Sequence, residues 1–484
     1  MSTKSDRQFD PASLRRCVPR GALQIVERIA GAGGQAFLVG GCLRDLLLGR
    51  SPKDWDIATD LTPEQVRSLF RRVHEVGAAF GTLLVPRRDG IYEVTTFRTE
   101  STYSDGRHPD EVTYTHRLEE DLQRRDFTIN AMAWDLRGER IEDPFGGIED
   151  LSRRQIRAVG NPGERFREDA LRLLRAVRFA TQLGFHIEKE TWEAVGVASE
   201  GLKRISAERI REELNLIMLA PKPSTGLLLL QAAGLLRIIL PELEACRGVK
   251  QNRFHAYDVF THSLLAADAA PQNNLVIRMA ALLHDIAKPE TREERHGDFT
   301  FYAHQVLGAR KAHRILRRLR YPNEERERIT HLIYHHMFYY EPKWTDSAVR
   351  RFAHTVGLEN IPDLIHLRLA DMIGNGRKSG DTSPLQALLR RVDEVIAKDT
   401  ALSVKDLAIG GHELMDLGVP KGPGIGQILR ALLEKVLDDP EVNTGEALLE
   451  EARAMIAAGV HLPLDRPARG FTHTETAGDE PGRS

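Results

Sequence analysis

The sequence predicts an α+β protein, with a small mixed-sheet head followed by an all-α body and a second all-α domain. From Gln35 to about Leu136, short apolar runs alternate with charged turns, as the strands of a small sheet do. From Gly163 onward, apolar residues recur at i, i+3 and i+4, which is the spacing of amphipathic helices. A chain of 484 residues is long enough for two or more such domains.

Each element of the head is indicated by its own run of residues. QAFLVGG predicts a strand, CLRDLLLG a short helix, and DWDIAT, GTLLVP and IYEVTTF three further strands. Helices are predicted for ALRLLRAVRFATQLGF after Asp169, for ISAERIREELNLIML and for STGLLLLQAAGLLRIIL. Pro241 and the loop CRGVKQNRFHAYD predict a domain boundary between residues 241 and 256.

Six regions follow from these patterns. In chain order they are a flexible N-terminus at 1–20, a mixed-sheet head at 21–160, a helical region at 161–250, a helical domain at 251–380, a helical C-terminal region at 381–466, and a disordered tail at 467–484. The tail is expected to be disordered because it has few apolar residues to bury.

Composition limits the classes of partner and compartment. Lysine plus arginine total 68 against 70 acidic residues, so a polyanion would have to meet a local basic face. Cys17, Cys42 and Cys246 lie far apart without a CxxC motif, which indicates neither a disulfide framework nor a zinc ribbon. No run approaches the ~18 apolar residues of a membrane span, and the start lacks a signal-peptide core. We therefore expect a cytoplasmic protein without a membrane partner.

The segment FLVGGCLRDLLLG suggests a site for phosphates. An apolar strand runs into Gly40 and Gly41, which let backbone N–H groups approach an anion, and Arg44 follows one turn into the helix. Taken alone, the same pattern is more often a strand-to-helix turn with a surface arginine.

The segment PKDWDIATD places two carboxylates two residues apart. On a strand, Asp54 and Asp56 point to one face while Trp55 points to the other, and adjacent like charges favour a cation between them. Such oxygen ligands suit Mg²⁺, and Glu93 on another predicted strand could add a third carboxylate. A DxD alone is usually a solvated turn. Its position within sixteen residues of the glycine pair favours a metal site, because a phosphate cradle and metal carboxylates together suffice for nucleotidyl transfer.

Five motifs in order resemble the class II tRNA nucleotidyltransferase and bacterial poly(A) polymerase family. They are VGGCLRDLLLG with KDWDIATD, TTFRTESTYSDGRHPDEV, DLQRRDFTINAMAWD, DPFGGIEDL and RFREDALRLLRAVRFATQLGF, and they cover roughly residues 35 to 250. The resemblance implies that Asp54 and Asp56 hold two Mg²⁺ ions, with Glu93 as a further catalytic carboxylate. It also implies nucleotide contacts from Gly40, Gly41, Arg44, Arg124, Arg125 and Asp126. In the family, the head at 21–160 is the nucleotidyltransferase, so the resemblance further implies nucleotide selection and RNA binding by the region 161–250 and RNA binding by the region 381–466.

The segment EDALR carries the expected choice of base. On a helix Asp169 and Arg172 are i, i+3 neighbours, and Arg175 and Arg178 continue the same stripe. An isolated pair of this kind is usually a surface ion pair. As a base-reading pair, however, an acceptor-only aspartate and a donor-only arginine match the amino group and ring nitrogen of cytosine and adenine. Guanine and uracil would leave groups unpaired at about 1–3 kcal/mol each.

The long segment TFRTESTYSDGRHPDEVTY narrows the expected activity within the family. It is similar to the full flexible loop of CCA-adding and A-adding enzymes. We therefore expect addition of CCA to tRNA 3′ ends from CTP and ATP with Mg²⁺. Addition of A alone and poly(A) synthesis are the alternatives.

A second set of histidines and aspartates follows between residues 254 and 380. Its members are His262, His284, Asp285, His304, His335 and Asp371. This set resembles the HD phosphohydrolase superfamily, which implies one or two divalent metal ions. Histidine with carboxylate suits transition metals such as Ni²⁺ or Mn²⁺ better than Mg²⁺. The resemblance implies a phosphoester at an RNA end as substrate.

Two further readings belong to other classes of protein. The chain could be an HD phosphohydrolase with a non-catalytic head, or an RNA-binding protein without catalysis. The intact DxD, RRD and EDxxR motifs disfavour both. A basic cluster after His304 is either a solvated helix face or a track for RNA phosphates. Its members are Arg310, Lys311, Arg314, Arg317, Arg318 and Arg320. The sequence carries no indication of oligomeric state.

Overall fold

The computed structural model describes residues 11–75, 81–101, 111–377, 381–398 and 401–459. The chain divides into two compact units. The first comprises the residues up to Ala245 together with Arg317–Tyr321, and the second comprises Cys246–Leu316 and the residues from Pro322 onward. The predicted α+β class is confirmed, since the first unit contains a mixed sheet and helices form most of the remainder. The predicted tail and the centre of the long loop, residues 102–110, lie outside the described residues.

Each of the four apolar runs QAFLVGG, DWDIAT, GTLLVP and IYEVTTF coincides with a strand of the first unit, which has seven further strands among its described residues. In chain order the strands are β1 Ala36–Val39, β2 Asp56–Thr59, β3 His74–Glu75, β4 Thr82–Arg87, β5 Gly90–Thr96, β6 Arg98–Ser101, β7 Glu111–Tyr114, β8 Ala133–Asp135, β9 Arg140–Glu142, β10 Gln155–Ile156 and β11 His186–Ile187. Seven of them form one sheet in the order β3-β4-β5-β2-β1-β8-β9. Strands β2 and β5 are parallel, whereas β1 is antiparallel to both β2 and β8.

Thirteen helices accompany these strands within the described part of the first unit. They are α1 Pro11–Arg15, α2 Arg20–Gly31, α3 Gly41–Leu47, α4 Pro63–Leu69, α5 Leu118–Gln123, α6 Gly147–Ser152, α7 Pro162–Glu168, α8 Leu171–Leu183, α9 Lys189–Ala198, α10 Ala207–Met218, α11 Pro223–Ala232, α12 Leu236–Ile239 and α13 Pro241–Glu244. Helix α1 lies within the N-terminal region that was expected to be flexible.

Burial explains how the head holds together. All four residues of β1 are buried, as expected for a central strand covered on both faces. Helix α2 buries Ala22, Ile25, Val26 and Ile29, which share one face, and this helix packs on β1, β2 and β5. Helix α8 packs against α10 and α11 and is buried on most of its circumference. The central strands β1, β2 and β5 thereby position the head motifs, and α8 positions the EDALR segment at its start.

In its described residues, the second unit is helical apart from one small hairpin. Its elements are α14 Val259–Ala269, α15 Leu275–Leu283, α16 Lys288–Thr291, β12 Glu293–Arg295, β13 Asp298–Thr300, α17 His304–Arg318, α18 Asn323–His335, α19 Asp346–Val356, α20 Ile361–Asn375, α21 Ser383–Ile396, α22 Gly411–Asp416, α23 Pro423–Asp438 and α24 Gly445–Ala457. The β12–β13 hairpin departs from the predicted all-helical pattern. His296 and Gly297 both have positive φ between its strands, which suits a two-residue hairpin turn.

Helices α14, α15 and α20 pack against one another, and α18 packs on α15 and α20. Gly374 on α20 allows the backbones of α20 and α14 to lie close together, because a Cβ at this position would lie 2.6 Å from the backbone nitrogen of Ala266. A separate apolar core lies further along the chain, in α22, α23 and α24. It is formed by Leu414, Leu432, Leu433, Val436, Leu437 and Leu448.

Candidate functional site

The Gly40–Gly41 turn brings the first set of predicted residues together. It links β1 to α3, and Gly40 has φ 73°, a conformation that favours glycine. A Cβ on Gly40 would lie 2.9 Å from Nη1 of Arg125 and 3.5 Å from Oδ2 of Asp56. Residues from three separate motifs therefore meet at this turn, and a side chain at Gly40 would fill the space between them.

Arg44 is held beside the same turn. Its guanidinium donates to Oδ1 of Asp45 and to Oδ1 of Asn130, both at 2.9 Å. Its Nη2 lies 3.6 Å from where a Cβ on Gly41 would be. The guanidinium is thus fixed next to the glycine pair, as a contact to phosphate would require.

The three head carboxylates lie on neighbouring stretches of backbone. Asp56 is the first residue of β2 and lies directly across from Glu93 in the parallel ladder with β5. Asp54 precedes the strand in a bend, so the expectation that a continuous strand aligns Asp54 with Asp56 is corrected. The strand is shorter than the DWDIAT run because the β1 pairing ends at Asp56.

Electrostatics at these carboxylates favour a cation. Burial raises the pKa of the Asp56 carboxyl, Arg125 opposes this shift, and the charge of Asp54 adds to it. Burial, followed by the charge of Asp56, likewise raises the pKa of Glu93. Mutually repelling oxygen ligands of this kind fit Mg²⁺. Among the described residues, groups of three or more acidic or histidine side chains with all their ligand atoms within 4.8 Å of one another occur in the second unit. The carboxylates of Asp54, Asp56 and Glu93 are therefore not all within that distance of one another.

The RRD motif is tied down by ion pairs. Arg124 and Arg125 both bind the buried carboxylate of Asp121, at 2.8 and 3.3 Å. Asp126 is buried and accepts hydrogen bonds from Arg175 Nε at 2.7 Å and from Asn130 Nδ2 at 3.1 Å. The motif is therefore not a free charged strand edge. Arg125 is the member that reaches the Gly40 turn.

We expect Asp126→Asn to lower stability more at neutral pH than in acid. Burial alone would raise the pKa of Asp126, but Arg175 and Asn130 bring it down to about 2. A carboxyl with a depressed pKa stabilises the fold above its ordinary pKa of 3.8, and this contribution is lost as pH falls towards 2. The amide should cost roughly 2 kcal/mol at pH 7.

Urea unfolding of wild type and Asp126→Asn at pH 7 and pH 3 measures this difference. The destabilisation should shrink at pH 3. Asp135→Asn is the matched control, because the Asp135 carboxylate accepts a backbone hydrogen bond from Arg137 in a hairpin turn. An equal loss for Asp126→Asn at both pH values would contradict the ion-pair argument.

The EDALR segment differs from the expected continuous helix. Helix α7 ends at Glu168, Asp169 is extended with φ −139°, and α8 begins at Leu171. Asp169 and Arg172 consequently do not pair. Arg172 instead donates to Glu168 Oε2 at 2.6 Å and to the carbonyl of Arg124 at 3.0 Å. The predicted pairing is corrected because the helix break turns the two side chains towards different partners.

Helix α10 supplies the partners that sequence analysis missed. Arg209 binds the carboxylate of Asp169, with its Nη2 2.7 Å from Oδ2. Glu213 accepts from Nε of Arg178 at 2.6 Å and lies 3.7 Å from Arg175. A signal was available, because Arg209 and Glu213 are four residues apart in ISAERIREELNL and share one helix face. Arg172 and Arg178 are thus buried, Arg175 is partly buried, and all three arginines of the stripe pair with carboxylates.

The second unit gathers a cluster of histidines and aspartates from five helical segments. His262 Nε2 lies 3.1 Å from His284 Nε2, 3.4 Å from Asp285 Oδ2 and 3.2 Å from Asp371 Oδ1. On its other side, Asp285 Oδ1 lies 3.3 Å from His304 Nε2. All of these side chains are buried.

His336, rather than His335, completes this cluster. His336 is buried with Nε2 4.0 Å from Asp285 Oδ1, whereas the ring of His335 packs on His331 and Tyr334. The prediction of His335 as a metal ligand is corrected. Both histidines occur in IYHHMFYY, and the end of α18 at His335 decides which one faces inward.

The cluster fits metal ions by the orientation of its imidazoles. The Nδ1 atoms of His284, His304 and His336 each lie 2.7–2.8 Å from the backbone carbonyl three residues earlier, which leaves Nε2 to face the cluster. The Nε2 atoms of His304 and His336 are buried without a hydrogen-bond partner. Two ligand groups, His262–His284–Asp285 and Asp285–His304–His336, share one carboxylate. This donor set suits two transition-metal ions.

The charges at Asp285 and His336 suit a metal site, whereas His262 must lose a proton to bind a metal, because hydrogen bonds to Asp285 and Asp371 outweigh burial and raise its pKa to about 9. Lys288 is buried, with Nζ 2.6 Å from Asp285 Oδ2. Burial alone would raise the pKa of Asp285, but His284 and Lys288 hold it well below its ordinary range. At His336, burial lowers the pKa of the imidazole and so favours its neutral form. An ionised aspartate and a neutral histidine are the forms that bind metals.

The predicted basic cluster is only partly a free surface. Lys311 is buried and pairs with Glu290, and Arg318 pairs with Glu242. Arg310 and Arg314 line a groove of about 800 Å³ between α17 and α18.

None of the described helices has both the length and the apolar composition that a membrane-spanning helix needs.

Three family models match successive parts of the chain. Residues 36–157 match the Poly A polymerase head domain, and residues 184–247 match the probable RNA and SrmB-binding site of polymerase A. Residues 254–395 match the HD domain.

Two of the following three curated relatives match this chain over more than nine-tenths of their own length, and the third matches over half of its length. A CCA-adding enzyme of Lactobacillus delbrueckii subsp. bulgaricus is 35% identical over 431 residues, which cover 89% of this chain and 96% of that protein. A CCA-adding enzyme of Enterococcus faecalis is 52% identical over 206 residues, which cover 43% of this chain and 50% of that protein. An A-adding tRNA nucleotidyltransferase of Deinococcus radiodurans is 36% identical, with 82% of this chain and 91% of that protein covered.

Solved structures share the fold. The CCA-adding enzyme of Bacillus stearothermophilus in complex with CTP aligns with a TM-score of 0.70 and 30% identity, covering 94% of this chain and 100% of that one. The CCA-adding enzyme of Thermotoga maritima complexed with tRNA aligns with a TM-score of 0.56 and 21% identity, covering 93% and 99%.

Proposed function

Because this chain belongs to the family of CCA-adding enzymes, we propose that it adds C, C and A to tRNA 3′ ends from CTP and ATP without a nucleic-acid template. The observation that carries the proposal is the meeting of Asp56 and Arg125 at the Gly40–Gly41 turn, with Glu93 across from Asp56 on the neighbouring strand. Mg²⁺ held by Asp54 and Asp56 would supply the positive charge that activates the RNA 3′-hydroxyl and stabilises the leaving pyrophosphate.

The side chains around this turn have separate tasks in the proposed reaction. Backbone N–H groups at Gly41 and the guanidinium of Arg44 bind the triphosphate, and Arg125 adds positive charge beside Asp56. Arg124 orients Arg125 through their shared partner Asp121. Asp126 holds Arg175 in an ion pair with Nη2 2.6 Å from Oδ2.

In the proposed reaction, Asp169 and Arg172 select the base. An aspartate accepts from the amino group of cytosine or adenine, and an arginine donates to the neighbouring ring nitrogen. Since Arg172 donates to Glu168 in the free protein, it must exchange that partner for the base. Uracil and guanine offer no gain for this exchange, which adds to their exclusion.

Incorporation of labelled nucleotides into three tRNA substrates tests the proposal. The substrates end before CC, before A, or with complete CCA, and each NTP is supplied separately and together with Mg²⁺. We expect CTP to extend the first substrate, ATP to extend the second, and neither to extend the third. UTP and GTP should be poor substrates for every tRNA.

Other outcomes select the other readings. Extension of only the tRNA that ends in CC would select A addition, as in the Deinococcus radiodurans relative. Long A tails on unrelated RNA would select poly(A) synthesis. No incorporation on any substrate would leave the head as a non-catalytic RNA-binding module.

For the second unit we propose a metal-dependent phosphohydrolase activity. The sharing of Asp285 between two groups of ligands supports it. Ni²⁺ or Mn²⁺ bound there would polarise a phosphoester for attack by water. Two exposed aromatic side chains have an arginine over the ring. They are Phe254, in the loop before α14, with Arg253, and Tyr302, just after the β12–β13 hairpin, with Arg295. Such pairs suit unstacked bases, which supports phosphoesters at RNA ends as substrates.

The proposed setting is the cytoplasm. Cys17, Cys42 and Cys246 are all free thiols in the structure, which is typical of proteins in a reducing compartment. Transfer RNA, CTP and ATP, the proposed substrates, would be met there.

A further inference from the structure

Three arginines lie over the ring of Phe179, a buried residue of α8. The guanidinium carbons of Arg44, Arg175 and Arg178 are 5.1, 5.4 and 3.9 Å from the centre of this ring. The face of an aromatic ring carries partial negative charge and attracts cations within about 6 Å of its centre. Because Arg44 belongs to α3, the ring links the helix of the EDALR segment to the Gly40–Gly41 turn.

The hydrogen bonds of Arg44 leave one edge of its guanidinium open. Nε and Nη2 lie 2.9 and 2.8 Å from Oδ1 of Asp45, and Nη1 donates to Oδ1 of Asn130 at 2.9 Å. Among the described residues, these contacts use three of the five N–H groups of the guanidinium. The other two are on Nη1 and Nη2, which lie 3.9 and 3.6 Å from where a Cβ on Gly41 would be. Two adjacent N–H groups of this kind form the fork that binds phosphate oxygens.

The ring of Phe179 is itself held in place. Phe127, a fully buried residue of the RRDFTIN segment, meets it edge-on, with ring centres 5.8 Å apart and an interplanar angle of 82°. Helix α8 is buried on most of its circumference, which leaves its backbone little freedom. Phe179 therefore presents its ring to Arg44 from a rigid support, and precise sites require such supports.

An aromatic ring suits this place better than a second carboxylate would. Arg44 already has one carboxylate partner, Asp45. Another carboxylate would attract the guanidinium more strongly, but it would also repel a triphosphate, which carries several negative charges. The ring of Phe179 holds the cation without adding a net negative charge. The positive charge of Arg44 is thereby kept available for phosphates.

We propose that Phe179 is a positioning residue for the triphosphate, because its ring holds the Arg44 guanidinium with the open edge beside Gly41. The inference rests on the proposed function, in which Arg44 binds the triphosphate. Phe179 itself is buried, so its effect on the nucleotide passes through Arg44. CTP and ATP are affected alike, since both carry the same triphosphate.

Binding of inorganic tripolyphosphate in Mg²⁺ buffer tests the inference without requiring catalysis. This probe has the phosphates of an NTP but no base, and calorimetry gives its dissociation constant. Phe179→Leu should raise the constant about threefold to thirtyfold, which is the range expected for loss of one partly buried cation–π contact. Replacing Phe179 by trifluorophenylalanine nearly keeps the size of the ring but weakens the negative charge of its face. This variant should also bind tripolyphosphate more weakly than wild type.

A double-mutant cycle and a matched control separate positioning from general packing. In an Arg44→Met background, adding Phe179→Leu should change the dissociation constant by less than about twofold. Phe37→Leu is the control, because Phe37 is a buried head residue that packs on Phe97, with ring centres 6.0 Å apart. It should bind tripolyphosphate as wild type does. In Phe179→Leu the ratio of kcat/KM for CTP to kcat/KM for UTP should stay unchanged, because the triphosphate is common to both nucleotides.

Three results would overturn the inference alone. An unchanged dissociation constant in both Phe179 variants would remove it, while continued CMP addition would leave the proposed function intact. A rise in Phe179→Leu without a rise in the trifluorophenylalanine variant would make Phe179 a packing residue. An effect of Phe179→Leu that persists in the Arg44→Met background would show that Phe179 does not act through Arg44. If Phe179→Leu does not fold, the trifluorophenylalanine variant decides.

Two further results concern the proposed function. A wild-type dissociation constant in Arg44→Met alone would remove the phosphate contact of Arg44, and the inference with it. If wild type binds tripolyphosphate and the Phe179 variants weaken it as expected, but no nucleotide is added to any tRNA, the proposed activity fails. The positioning of Arg44 by Phe179 would then still be supported.

Discussion

Replacing Asp54 and Asp56 together by alanine should reduce nucleotide addition to tRNA by at least about a thousandfold. The two carboxylates are the proposed ligands of Mg²⁺, and a metal ion at phosphoryl transfer supplies several kcal/mol of transition-state stabilisation. Binding of tRNA should change little, since the loss concerns the reacting phosphate. The measurement is single-turnover incorporation of CMP, alongside tRNA affinity in the same buffer.

Stability provides a second readout for this double variant. Burial and the charge of Asp54 raise the pKa of Asp56, so the ionised pair is a strained arrangement in the folded state. We expect the double variant to melt no lower than wild type. Glu64→Ala with Glu149→Ala is the matched control, because it removes two exposed head carboxylates outside the cluster. Undiminished CMP incorporation in the Asp54→Ala, Asp56→Ala variant would exclude the proposed metal site.

Changing His284 to alanine should abolish Ni²⁺- or Mn²⁺-dependent release of phosphate from small phosphoesters while CCA addition continues. His284 contributes Nε2 to the ligand group with His262 and Asp285. The head carboxylates belong to the other unit, and the activity that depends on them should stay within a few-fold of wild type. Metal content of the purified protein should fall together with hydrolysis.

Neighbouring histidines give a sharp control for the same site. His336→Ala removes a buried Nε2 that faces Asp285, whereas His335→Ala removes a ring that packs on His331 and Tyr334. We therefore expect His336→Ala to lose bound metal and hydrolysis, and His335→Ala to keep both. The reverse result would show that the cluster is assembled with His335. Full hydrolysis in His284→Ala would exclude the cluster as the hydrolytic centre.

Much of the fold could be predicted because its signals are local. The β1 run AFLV is apolar throughout, and α2 repeats apolar residues along one face, so each element is recognisable without its neighbours. The α+β class follows from such segments. The β12–β13 hairpin was missed because its strands are three residues each and exposed at every position of β12.

The candidate sites were predictable to the extent that a motif contains its own partners. The glycine pair and Asp56 are linked by adjacent strands of one sheet, so their meeting follows from the sheet. Arg209 and Asp169 are forty residues apart and meet only because α10 packs against α8. No periodic pattern within either segment contains that information.

By itself, the sequence determined the fold class, the family resemblance and the kinds of side chain available for each site. Tertiary structure decided which of those side chains face one another. The end of α18 selects His336 over His335, and the break at Asp169 separates it from Arg172 and gives it to Arg209. The physical reason is that one residue of helix rotates a side chain by about 100°, so partner choice depends on where packing ends each helix.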